Sequence, residues 1–175
     1  MPSVDQIVTL ECISNEVGGD LISNARWRGV PLKLFLERAG LKPGVVDISF
    51  RAWDGYQESL ALDMAMQERV MVAHEMNGVP LPFEHGFPVR LIVPGFFGIK
   101  HVKWLTAIEP VDHDFQGYWQ VRGWTDVPWM KTFSRLDIPR SREEVMGDAV
   151  TLGGVAFAGD RGVSRVEVSP DKGET

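Results

Sequence analysis

Asn77-Gly78-Val79-Pro80-Leu81-Pro82, His85-Gly86-Phe87-Pro88-Val89-Arg90-Leu91-Ile92-Val93-Pro94-Gly95 and Gly98-Ile99-Lys100-His101-Val102-Lys103-Trp104-Leu105 follow one another almost without a gap. The block reads as a turn, a strand carrying Arg90, a glycine-punctuated loop and a second strand carrying Lys103. Gly95 and Gly98 let the backbone come close to a ligand, or simply turn tightly. His85, Arg90, Lys100 and Lys103, with His101, surround that loop in a chain whose formal net charge is −6. A local cationic cluster in an acidic protein suits a phosphate or pyrophosphate. The alternative is a set of solvated charges at strand ends.

Upstream of this block, Val70 to Met76 reads as a strand and Leu62 to Glu68 as a short helix, with Met64, Met66 and Met71 as core filler. Val45 to Trp53 is a further strand, Asp54-Gly55 starts a hairpin, and Ser59-Leu60 lies on its return strand. Pro31 fits a first helical position. Leu32, Phe35, Leu36 and Ala39 then share one helical face, and Gly40 follows the end. The stretch from Ser14 to Arg28, rich in glycine, asparagine and serine, is expected as a loop, with Arg26-Trp27-Arg28 solvated around one buried tryptophan. An anion site is the alternative there. Before it, Ile7-Val8-Thr9-Leu10 forms a first strand that delivers Cys12, the chain's one cysteine, to its polar end. That thiol either faces a ligand or serves as a small buried hydrophobe.

Downstream, Trp119, Trp124 and Trp129 recur at five-residue spacing and are expected to anchor a long loop rather than to wall a substrate. Proline and clustered charge between Asp137 and Asp148 mark a domain boundary. The order is mostly strands with a few short helices and long loops. The expected fold class is therefore α+β, with mixed β-sheets.

Composition sets the outer limits. With 175 residues, 44 % hydrophobic and 24 % charged, the chain can bury one sizeable core. The acidic balance argues against a nucleic-acid partner, and one cysteine excludes a disulfide scaffold and a cysteine-based zinc site. No apolar run reaches the ~18–20 residues of a membrane helix, and no signal-peptide pattern opens the chain. His74-Glu75 fails as a zinc-protease motif because position 78 is glycine. Neither a phosphate-cradling glycine loop nor a Gly-x-Ser-x-Gly elbow is present.

Asn-Gly-x-Pro-Leu, His-Gly-Phe-Pro-Val-Arg, Val-Pro-Gly-x-x-Gly and Lys-His-Val-Lys-Trp-Leu, in this order, resemble the molybdopterin-binding domain of the sulfite oxidase superfamily. Leu10-Glu11-Cys12-Ile13-Ser14-Asn15 stands where that family carries its molybdenum-ligating cysteine, and the resemblance runs from about Gln6 to Ser169. It implies a molybdopterin-binding fold in residues 1–136, a linker over 137–148, and the start of a β-sandwich dimerisation domain in 149–175. By comparison with the family, both ends are expected to be truncated. Cys12 would ligate molybdenum, and His85, Arg90, Gly98, Lys100 and Lys103 would contact the pterin and its phosphate. Asp54 and Ser59 would add contacts from the preceding hairpin.

The implied chemistry is two-electron oxo transfer on a small oxyanion or oxo-acceptor substrate. Electrons would pass singly to a carrier such as a cytochrome, and the C-terminal segment would support a homodimer. The alternative is a cofactor-free remnant or binding module of the same fold. Glu16 and Val17 replace an arginine pair of the sulfite oxidases, and by count the family's tyrosine near the metal falls at Gln116, with Tyr118 two positions on. These departures argue against sulfite as the substrate.

Overall fold

The computed structural model describes every residue except Val17, Ser141, Lys172 and Thr175, and every side chain of the rest except that of Asp160. The chain divides into two compact units. The first comprises Met1–Asn15 and Asp20–Met130, the second Glu16–Gly19 and Lys131–Thr175.

In chain order the first unit contains β1 (Val4–Glu11), β2 (Ile22–Pro31), α1 (Leu32–Ala39), β3 (Asp47–Ala52), β4 (Gln57–Ala61), α2 (Leu62–Ala65), β5 (Met71–Met76), β6 (Val79–Pro80), β7 (Arg90–Ile92) and β8 (Leu105–Val111). One sheet runs β1-β2-β5-β6, with β7 also paired to β5. The other runs β4-β3-β8, and every pairing is antiparallel. Antiparallel sheets with two short helices make this the α+β domain expected from the sequence. No described helix is long and apolar enough to cross a membrane.

β2 corrects the expected loop. Ala25, Trp27, Gly29 and Pro31 are buried, while Asn24, Arg26 and Arg28 are exposed, an alternation that defines a half-buried strand. Glycine, asparagine and serine gave the segment a loop-like composition, but its period of two decided the structure. At Gly29 the neighbouring strand comes so close that a Cβ would stand 2.6 Å from the Cα of Ala73. Pro31 closes this strand and caps α1 without entering it. The helix ends at Gly40, whose left-handed φ of 75° turns its N–H back to the carbonyls of Leu36 and Glu37.

Leu32 and Leu36 of α1 join Ile48, Phe50, Leu60, Val70, Val72, Leu91 and Val93 in the main core. Met71 is fully buried, and Met64 and Met66 rest against the main cluster, as core filler should. Lys103 and Trp104 precede β8 rather than lying on it, because Trp104 takes a positive φ of 49° that interrupts the extended run.

Within the second unit, β9 (Phe133–Ile138) and β10 (Gly153–Phe157) form an antiparallel hairpin. Residues 137–148, expected as an interdomain linker, contain the end of β9 and part of the connection between these strands. The two compact units divide after Met130. Proline and charge there mark a long hairpin connection, which has the same composition as a linker.

Candidate functional site

β1 ends at Glu11, and the chain turns at once. The N–H of Cys12 donates to the carbonyl of Leu21 at 3.0 Å, and the N–H of Asn15 to that of Cys12 at 2.9 Å. Asn15 braces the turn from both sides. Its amide donates to Glu11 at 3.1 Å, and its side-chain oxygen accepts from the N–H of Leu21 at 2.9 Å. The result is an exposed Cys12 thiol held on an ordered turn.

That thiol lines a cavity of about 630 Å³, together with Asp54, His85, Arg90, Gly98 and Lys103. Six of the eight residues expected to form the site therefore share one cavity. A Cβ on Gly98 would stand 3.4 Å from the carbonyl oxygen of Glu11, so the glycine loop lies directly against the end of β1. Backbone bonds from Leu91 to Val102 (2.8 Å) and from Leu105 to Val89 (3.0 Å) set Arg90 beside Lys103. Asp54 accepts the N–H of Tyr56 at 3.0 Å and closes the β3–β4 turn.

The cationic side of the cavity is rigid. Arg90 is 6 % exposed, lies 5.0 Å from the centre of the Trp27 ring, and donates to the carbonyls of His85 (3.0 Å) and His101 (3.2 Å). Its Nε and the Nε1 of the fully buried Trp27 have no hydrogen-bond partner among the described residues. Burial lowers the Arg90 pKa to about 10, which leaves it charged at neutral pH. Burial first, and Arg90 second, push the Lys103 ammonium below the usual lysine range. His101 is driven by burial to about 3 and is neutral, with Nδ1 accepting from Val93 at 3.3 Å and Nε2 placed 3.1 Å from the Phe96 carbonyl.

Around Cys12 the lining is acidic and apolar, with Glu11, Asp20, Ile13 and Leu21. Among the described residues no three His, Cys, Asp or Glu side chains come together as a metal cluster.

Lys100 and Ser59 are not in the lining, against expectation. Lys100 is fully buried, and its ammonium donates to Glu58 at 2.9 Å, to the Ser59 carbonyl at 3.0 Å and to Asp126 at 2.6 Å. An ammonium so enclosed is held by the protein's own acids. The Ser59 hydroxyl is likewise occupied, donating to the Phe115 carbonyl at 2.8 Å.

Tyr56 lines the cavity and was missed by counting along the sequence. Its hydroxyl donates to the Ile99 carbonyl at 2.7 Å and lies 3.2 Å from Glu58. Burial, followed by Glu58, raises its pKa. Gln116 is exposed and donates to Asp114, whereas Tyr118, 6.0 Å from Tyr56 ring to ring, is 44 % exposed. Trp119 also lines the cavity and packs against Trp124, the rings tilted by 36° with centres 4.5 Å apart, while Trp129 packs edge-on against Phe96 at 4.4 Å. Of the two residues that replace the arginine pair, Glu16 belongs to the second unit and Val17 lies outside the described residues.

Comparison with known proteins agrees with this geometry. The family model described as oxidoreductase molybdopterin binding domain matches residues 1–119. Human mitochondrial sulfite oxidase is 35 % identical over 99 % of this chain and 40 % of its own length. The NADH nitrate reductase of Solanum lycopersicum is 30 % identical over 98 % of this chain and 23 % of its own length. Among solved structures, the sulfane dehydrogenase SoxCD of Paracoccus pantotrophus superposes with a TM-score of 0.68 at 26 % identity, covering 79 % of this chain and 42 % of that one. The chain thus spans about 40 % of the length of the sulfite oxidase it matches. A cavity lined by both a thiol and a buried arginine, in a chain matched by that family model over most of its length, belongs to an oxidoreductase molybdopterin-binding domain of the sulfite oxidase type, whose cofactor is molybdenum-molybdopterin.

Proposed function

We propose that the protein is the molybdenum-bearing part of an oxidoreductase, with Cys12 as the protein's ligand to the metal. The observation that carries this reading is that one cavity is lined by the exposed Cys12 thiol together with His85, Arg90 and Lys103. Arginine and lysine side chains fit an anionic ligand, and a soft thiolate fits molybdenum.

When bound, the cofactor supplies two-electron oxo transfer to or from a small substrate. In this reading Cys12 anchors the metal, and His85, Arg90 and Lys103 hold the anionic part of the cofactor. Gly98 leaves room for its approach, and Asp54 orders the rim beside Tyr56. Lys100 and Ser59 have no direct part. The acidic side chains of Glu11 and Asp20 on the Cys12 side of the cavity disfavour a dianionic substrate such as sulfite. The electron acceptor proposed is a one-electron carrier such as a cytochrome, and the β9–β10 hairpin of the second unit is the segment proposed for self-association.

The test is elemental analysis for molybdenum, with pterin content, on protein made in a cofactor-competent host beside a Cys12→Ser variant. Near-stoichiometric molybdenum that is lost in the variant supports the assignment. Equal molybdenum in both would remove Cys12 from the metal, and none in either would refute the function.

A further inference from the structure

Three consecutive carbonyls at the rim of the cavity are each held by a different side chain. Nε1 of Trp104 donates to Phe83 O at 2.8 Å, Nζ of Lys103 to Glu84 O at 3.0 Å, and Nη1 of Arg90 to His85 O at 3.0 Å. The three carbonyls belong to one 3-10 turn, Phe83–His85. Its closing residue, Gly86, has a left-handed φ of 106° and touches the same groups. A Cβ there would stand 3.1 Å from Cβ of Arg90 and from Cα and Cβ of Lys103. The turn, the arginine and the lysine are therefore built as one piece.

Adjacent residues of an extended strand point to opposite faces, yet Lys103 and Trp104 reach adjacent carbonyls of the same turn. The left-handed backbone of Trp104, φ 49°, breaks the alternation and allows it. Such a conformation is a genuine outlier for a bulky residue and persists only where the surroundings enforce it. Here the enforcement is visible. The Trp104 carbonyl accepts the N–H of Trp53 at 2.9 Å, its indole bonds Phe83, and the Lys103 ammonium lies 4.2 Å from the centre of its ring.

We propose that Trp104 is the positioning residue of the cavity's cationic end. Its backbone and indole hold Lys103 and the Phe83–His85 turn in register, so that Lys103 and Arg90 meet one anionic group together. The identity of that group as part of molybdopterin rests on the function proposed above; the mechanical role of Trp104 does not.

The test has two arms. In full-length protein made without cofactor, the rate of Lys103 acylation by a water-soluble amine reagent is read by peptide mass spectrometry. Trp104→Phe keeps an aromatic ring, smaller than the indole, and removes the N–H, and is expected to raise that rate several-fold. Gly86→Ala, which pushes the turn off Lys103 without altering the indole, is expected to do the same. In protein from a cofactor-competent host, molybdopterin retained after gel filtration is compared among Trp104→Phe, Lys103→Ala and the double variant. Each single change should lower retention several-fold, and the double should fall no further than the lower single, because one residue acts through the other.

Lys103 labelling at the wild-type rate in both rim variants would overturn the proposal. So would a double variant whose loss is the product of the two single losses. Wild-type protein that holds no molybdopterin would refute the function proposed above, and the labelling arm would still decide the role of Trp104.

Discussion

Replacing Lys100 by methionine removes one ammonium from three acceptors. Two of them, Glu58 and the Ser59 carbonyl, belong to residues without solvent exposure, while the Asp126 side chain is one-third exposed and can return to water. The loss therefore falls on Glu58, left as a buried carboxylate with its cationic partner gone. Breaking a buried pair by removing one member destabilises by about 3–5 kcal/mol, a large share of the roughly 5–15 kcal/mol available to a domain. With a urea dependence of about 2 kcal/mol per M, the unfolding midpoint should fall by roughly 1.5–2.5 M. The assay is urea unfolding of the cofactor-free chain followed by tryptophan fluorescence. The double variant Lys100→Met with Glu58→Gln, which removes the orphaned charge, should recover about half of the loss. A midpoint within about 0.5 M of wild type, a shift of about 1 kcal/mol at the same urea dependence, would refute the reasoning. Unchanged stability with lost molybdopterin would return Lys100 to the cofactor.

Cys12→Ala should leave the unfolding free energy within about 0.5 kcal/mol of wild type, since the side chain is exposed, while molybdenum is lost. Thermal unfolding and metal analysis on the same sample test both halves. Gly29→Ala places a methyl against the backbone of Val72 and Ala73, and should destabilise by about 1–3 kcal/mol in urea unfolding, with β2 parted from β5. His101 has its folded pKa pushed down to about 3 by burial, so between about pH 3 and 6.5 the unfolded chain binds the extra proton. Its contribution is intact above that window and fades as pH falls through it, by up to about 1.4 kcal/mol per pH unit. Unfolding at pH 7, 5.5 and 4, with His101→Gln lacking this component, measures it.

How much was legible depended on whether a residue's partners were near in sequence. The Asp54-Gly55 turn, the methionine filler and the helix ending at Gly40 are local and could be read directly. The strand at Arg26-Trp27-Arg28 was also legible in principle, because Ala25, Trp27, Gly29 and Pro31 alternate, but polar composition masked the period. The motifs named Cys12, His85, Arg90 and Lys103, which the folded chain brings to one cavity.

Lys100 could not be placed that way. Whether a lysine in a glycine loop meets a ligand or an acid is decided by Glu58, 42 residues earlier, which only the folded β4 brings to it. Tyr56 was missed for a related reason. Counting from Val102-Lys103-Trp104-Leu105 to Trp119-Gln120 follows the chain, whereas the β3–β4 hairpin also contributes to the cavity wall. The signal available was the place of Tyr56 at the entry to the return strand, directly after the Asp54-Gly55 turn.

The turn that displays Cys12 also gives the molecule a single chemical address. With one cysteine in the sequence and that one exposed, a maleimide dye attaches at one place in each chain, and its uptake counts vacant sites without any enzymatic assay. The same exposure carries a hazard. With no second cysteine in the chain to pair with, an unliganded Cys12 can oxidise to a sulfenic acid and then irreversibly to sulfinic acid, or join two copies through a disulfide. Protein prepared without cofactor should therefore be kept reduced until it is loaded, since its capacity would otherwise decline with storage.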